Sequence, residues 1–261
     1  MTSRPRAAPL ATQASTSERE FTQPGADGAA AALERACGVD PHKPLVSQVG
    51  RLGARYREWL EHPNLSTAPL LMFENPFLEM CSKTPWWTVP LLWLPLVVSS
   101  LCTALWQHGL APAALVCWLA LGLLAWTVLE YVLHRFVFHA QPLRGWAVTL
   151  HFALHGCHHK QPADRLRLVF PPLFAAPLVA FFGRACRTAV GGAPGLVMWS
   201  GMLLGYVNYD VGHYHMHSGA RCGWLAGARR RHLRHHFKET DRNYGVSCDL
   251  LDRLCGTRQR H

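Results

Sequence analysis

The sequence predicts an all-α, multi-pass membrane protein with about four transmembrane helices and a histidine-rich helical cap, and three observations predict it. Thr84–Gln107 and Ala111–Val132 are almost free of charge, and each reaches the roughly 20 residues a helix needs to span the hydrocarbon core. Twelve of the sixteen histidines lie between His134 and His236, in four tight groups separated by apolar stretches. The chain is 49% hydrophobic but only 16% charged, and its net charge of +10 is concentrated towards the C-terminus. A mean hydropathy of +0.03 conceals this pattern, because a polar head and a basic tail dilute the apolar middle.

Two further spans are expected. Leu168–Phe182 is short and interrupted by prolines, which neighbouring helices can accommodate. Ala193–Val211 closes on Tyr209-Asp210. Before the first span, Leu45, Val46, Val49, Leu52, Tyr56, Trp59 and Leu60 sit in a polar frame, which suggests a short amphipathic or surface-lying element. Trp86, Trp87 and Trp93 are expected to anchor the entry of that span at the interface. Residues 1–38, rich in Ala, Ser, Thr, Gly and Pro, read as a disordered segment or a leader. Organelle targeting by this segment stays an open alternative; residues 39–261 form the membrane domain.

Neutral imidazole is a common ligand of transition metals, so the histidine groups point to metal. His155/His158/His159 and His232/His235/His236 repeat the pattern HxxHH, which puts three rings on one helical face. His213 and His217 also share a face, with His215 turned away. His134 and His139 are five residues apart, so a helix end or π-type distortion is expected around Arg135–Phe138. These ten histidines suit two ions, and no Glu-x-x-His motif suggests a carboxylate-rich site. Glu130 and Asp210, close before ligand histidines, are expected to accept the second ring N–H of a metal-bound imidazole. His151 and His215 are further candidates for that role. Cys157, inside the first HxxHH, is a weaker ligand candidate, whereas His42, His62, His108 and His261 read as surface residues.

Arg229, Arg230, Arg231, Arg234 and Lys238 crowd the last histidine group, with Arg253, Arg258 and Arg260 beyond it. The positive-inside rule places this end in the cytosol. There the arginines would face anionic headgroups or an acidic electron-transfer protein rather than nucleic acid. Nine cysteines without a CxxC pair argue against a disulfide framework.

The segments EYVLHRFVFH (130–139), HFALHGCHHK (151–160), RLRLVFPP (165–172), GYVNYDVGHYHMH (205–217) and HLRHHF (232–237) resemble, in order, the signatures of the fatty acid 2-hydroxylases lacking a fused cytochrome domain. This resemblance extends from about His42 to Thr257. It implies a cytosolic cap holding a dimetal centre on the ten histidines, with iron as the working ion and zinc possible in preparations. It also implies O2 as co-substrate, electrons from cytochrome b5 and its reductase, and hydroxylation at C2 of a ceramide or fatty acid in the endoplasmic reticulum. Tyr206, Tyr209 and Tyr214 are the expected channel residues. The chain departs from the family pattern at Asn208, Gly212 and His215, and His215 adds a competing imidazole. Desaturation or sterol methyl oxidation on the same scaffold is the rival reaction. A metal transporter is a rival of another class, although its ligands would lie near mid-span rather than at span ends.

Overall fold

The computed structural model describes residues 26–219 and 223–259; the expectations for residues 1–25, Cys222, Arg260 and His261 fall outside them. Four short helices precede the apolar region: α1 (Ala26–Cys37), α2 (Val46–Val49), α3 (Tyr56–Leu60) and α4 (Pro76–Cys81). Then come α5 (Thr88–Cys102), α6 (Pro112–Val132), α7 (Gly145–His151), α8 (Pro172–Val190), α9 (Gly192–His217), α10 (Ala226–Phe237) and α11 (Leu250–Leu254). π-Helical turns extend α5 through Thr103–Gln107 and α6 through Leu133–Phe138. Another, Phe152–Gly156, carries α7 into a last helical turn, Cys157–Lys160.

Among the described residues, three helices are long and apolar enough to cross a membrane: Thr88–Gln107, Pro112–Phe138 and Pro172–Val190. Their outer faces expose Leu91, Val98, Val116, Leu124, Leu178 and Phe181. Three helices meet this criterion of length and composition, where about four spans were expected. The expected fourth, Ala193–Val211, lies within α9, which packs against α5, α6 and α8 and is enclosed by them. Contact with protein rather than lipid accounts for its buried Gly, Ser, Asp and His residues, whereas Asn208 is exposed. The expected Leu168–Phe182 span instead starts at Pro172 and continues to Val190, since exposed Arg184 and Arg187 can extend their head groups away from the apolar core.

Small residues let α6 and α9 touch backbone to backbone. A Cβ on Gly122 would meet Met198 O at 2.1 Å, and one on Gly201 would meet Leu119 O at 2.3 Å. This close seam fixes the height of α9 relative to α6, and hence of the histidines at their ends.

The apolar residues of 45–60 are amphipathic as expected, but their apolar side faces the protein. Leu45, Val49, Tyr56 and Trp59 form a cap core with Val148 and Phe152. Within the segment read as disordered, Ala26–Cys37 is helical. Ala-rich sequence favours the helix, Leu33 and Cys37 join the cap core, and Glu34 pairs with the buried Lys160 ammonium at 3.3 Å. Of the three tryptophans, only Trp87 is exposed; Trp93 is buried, and Trp86 stacks on Tyr214.

Candidate metal centre

The four histidine groups arrive from four chain segments: the end of α6, the end of the α7 run, the last turns of α9, and α10. The ten rings meet in one cage, nine of them buried and His139 partly so. Two sets have donor atoms lying within 4.8 Å of one another: His158, His213, His217, His232 and His236, and His134, His139, His155 and His159. His235 joins the second set, its Nε2 2.9 Å from His139 Nε2. The sets share a wall, where His159 stacks on His236 with centroids 4.0 Å apart.

The spacing of His134 and His139 has the expected cause. In the π-helical turn Leu133–Phe138, the His139 N–H donates to His134 O at 3.1 Å, which returns the fifth residue to the face of the first.

Outer bonds settle which ring nitrogen faces inward. His134 Nδ1 donates to Tyr244 O (2.5 Å), His213 Nδ1 to Leu168 O (2.7 Å) and His235 Nδ1 to Arg242 O (2.6 Å). A neutral ring that donates from Nδ1 carries its lone pair on Nε2, here turned into the cage. Burial, reinforced by repulsion from neighbouring rings, holds His155, His158, His159, His232 and His236 well below the ordinary imidazole range, so they stay neutral donors. Within the cage, Nε2 of His134, His155 and His159 is buried without a hydrogen-bond partner. His158 Nε2 also crowds His213 Nε2 (2.9 Å) and His236 Nε2 (3.0 Å). Buried orphan donors aimed at a common centre are costly unless a cation collects them, and an all-nitrogen set fits a transition metal.

The two carboxylates act differently from expectation. Glu130 accepts from Val246 N (2.8 Å), Ser247 N (2.8 Å) and Ser247 Oγ (2.6 Å), and Asp210 accepts from Phe170 N (3.1 Å). Neither meets an imidazole N–H, although Glu130 also accepts from the Trp126 indole Nε1 at 3.1 Å. Each instead ties down a segment whose carbonyl, Tyr244 or Leu168, receives one. His151 Nδ1 bonds the Tyr56 hydroxyl at 2.7 Å rather than a cage ring. His215 packs on Trp86, outside both sets. Cys157 lies in the cap core, its thiol pushed up to about 11 by burial, and belongs to neither histidine set. His42, His62 and His108 are exposed as expected.

An apolar cavity of about 730 Å³ runs from the cage between α6, α8 and α9. His155, His158 and His213 of the cage line it, together with Trp126, Leu133, Phe170 and Phe174. Tyr206 and Tyr209 line it as expected. Tyr214 does not, being turned a third of a helical revolution away towards Trp86. The residues missed from sequence are Leu168, Arg242 and Tyr244, whose carbonyls accept the outer ring N–H groups, since any residue type supplies a carbonyl.

A sequence profile of the fatty acid hydroxylase family matches residues 119–257. A dihydroceramide fatty acyl 2-hydroxylase of Arabidopsis thaliana is 41% identical over 84% of this chain and 92% of its own length. A fatty acid 2-hydroxylase of Rattus norvegicus is 38% identical over 82% of this chain and 63% of its own. The solved structure of full-length scs7p, with only the hydroxylase domain visible, superposes with a TM-score of 0.82 at 30% identity, covering 92% of this chain and 95% of that one. The chain belongs to the fatty acid hydroxylase family.

Proposed function

We propose that this protein is a dimetal fatty acid 2-hydroxylase that inserts one oxygen atom of O2 at C2 of the acyl chain of a ceramide or fatty acid, for sphingolipid synthesis. The observation that carries this reading is the junction of the ten-histidine cage, through His155, His158 and His213, with an apolar cavity large enough for an acyl chain. His134, His139, His155, His159 and His235 would hold one ion, and His158, His213, His217, His232 and His236 the other. When bound, redox-active ions, iron in the working enzyme, supply the electron chemistry that side chains lack. In the overall balance the C–H bond becomes C–OH, the second oxygen atom leaves as water, and two electrons and two protons are consumed.

The chain's own residues set where this happens. Val137, Leu150 and Leu178 line the cavity and are also exposed, giving an acyl chain a way in from the bilayer. Trp126, Tyr206 and Tyr209 confine it beside the cage, and the apolar walls exclude water. The cap is placed on the cytosolic face of the endoplasmic reticulum membrane, supported by exposed Arg230, Lys238 and Arg253 beside it. The same surface suits an acidic electron donor such as cytochrome b5, served by its reductase.

Expression in cells lacking their own hydroxylase, followed by lipid mass spectrometry, tests the reading. Added oxygen at C2 is expected. Loss of two hydrogens would assign desaturation instead, and oxidation of a sterol methyl group the third chemistry.

A further inference from the structure

His134 and His235 donate to carbonyls only two residues apart, Tyr244 O and Arg242 O, so the segment 242–247 orients two cage rings at once. That segment is held by a carboxylate far from any histidine motif. Asp252 is 0% exposed; its Oδ1 accepts from Tyr244 N (2.9 Å) and Thr257 Oγ1 (2.7 Å), and its Oδ2 from Gly245 N (2.8 Å). Gly245 permits the approach, because a Cβ there would lie 2.1 Å from Cys248 O and 3.0 Å from Asp252 Oδ2. Asn243 takes a left-handed φ of 57°, which asparagine tolerates, and receives Gln259 N on its Oδ1 at 3.0 Å.

We propose that Asp252 is a positioning residue of the metal centre, acting through the Tyr244 and Arg242 carbonyls on the His134 and His235 half of the cage alone. It touches no ring. Its two oxygens accept main-chain N–H groups of Tyr244 and Gly245 in charge-assisted bonds, which fix the tilt of the adjoining carbonyls. Those carbonyls fix ring orientation and tautomer, and with them the Nε2 lone pairs. The other half has a separate support, Asp210 on Phe170 N, with Leu168 O on His213. Asp252→Asn replaces one acceptor oxygen by a donor that faces N–H or O–H groups, so the segment recedes and the two rings lose their reference.

This inference rests on the two-ion reading above. The test uses the full chain in detergent, loaded with zinc and equilibrated against graded EDTA, with zinc per chain counted. Wild type is expected to hold two ions. Asp252→Asn should weaken one ion by about 10–100-fold and leave the other unchanged. In a His158→Ala background, which spoils the other half, Asp252→Asn should still weaken the remaining ion; in a His155→Ala background it should change nothing. Thr257→Val, which removes one donor to the carboxylate, should give the same one-sided loss at about two- to tenfold, and it serves if Asp252→Asn does not fold. Equal weakening of both ions, or none, overturns the proposal. A wild-type chain that holds fewer than two zinc ions overturns the two-ion reading and this inference with it.

Discussion

Gly201→Ala is a small change with a calculable consequence. The added methyl would stand 2.3 Å from Leu119 O and 2.9 Å from Gly122 Cα, both backbone positions that no rotamer change can move. Ordinary contact begins near 3.4 Å, so α9 must withdraw from α6 by about 1 Å. Overpacking of this kind costs about 1–3 kcal/mol, which a folded membrane bundle survives. The site is less tolerant. His213 and His217 ride on α9 while His134 rides on α6, so the shift passes into the distances between the two halves of the cage. Metal–ligand distances tolerate only about 0.2 Å, and a misplacement of about 1 Å at a reacting centre costs on the order of 100-fold. Gly201→Ala is therefore expected to insert normally and lose about two orders of magnitude in 2-hydroxy product, measured by mass spectrometry against protein level. Gly227→Ala is the control, since a Cβ there meets only the flexible end of Arg231 at 3.7 Å. Wild-type turnover in Gly201→Ala would refute the claim that the glycine seam sets the geometry of the cage.

Three other outcomes are expected. His158→Ala and His235→Ala each abolish 2-hydroxy product without loss of membrane-inserted protein, and retained product in either would count against the ligand assignment. Ala175→Phe adds a ring to the cavity wall where a buried alanine stands; turnover of the longest acyl chains should fall about tenfold or more relative to short ones, and an unaltered chain-length profile would remove the acyl chain from this cavity. Burial lowers the folded-state pKa of His155, His158, His159, His232 and His236, so their neutral form is what folding favours. The resulting stability of the metal-free chain is complete above the unfolded value of about 6.5 and is lost as pH falls below it. A melting temperature of chelator-treated protein that stays flat from pH 7.5 to 5 would contradict this.

The sequence was most legible where side-chain type and helical period carry the information. Spacing alone announces the distortion at Leu133–Phe138 and the shared faces of both HxxHH groups, because ligand geometry and helix geometry are local. It was less legible where a partner supplies the solvent. Within α9, Ala193–Val211 reads as a weak span because its neighbours, not lipid, surround it. It was silent where the partner is a main-chain carbonyl. Glu130 and Asp210 stand one helical turn from cage histidines in sequence, yet the bonds they make run to Val246, Ser247 and Phe170, across 116, 117 and 40 positions. No residue type marks such a carbonyl, so adjacency along the helix points to the wrong bond.

The same geometry joins two of the signature segments, one without a histidine and one that carries the His213 and His217 pair. RLRLVFPP supplies the Phe170 N–H and the Leu168 carbonyl; GYVNYDVGHYHMH supplies the Asp210 carboxylate and the His213 ring that engage them. They are the two sides of one hydrogen-bonded joint, and neither side is satisfied alone. On α9, Tyr206, Asp210, His213 and His217 recur at helical spacing and form the face of that joint. Asn208, Gly212 and His215 lie off it: Asn208 is exposed, a Cβ on Gly212 would meet only Leu225 at 4.0 Å, and His215 rests on Trp86. The three positions fall off the face of the joint, so its hydrogen bonds from Phe170 N to Asp210 and from His213 to Leu168 O do not depend on them.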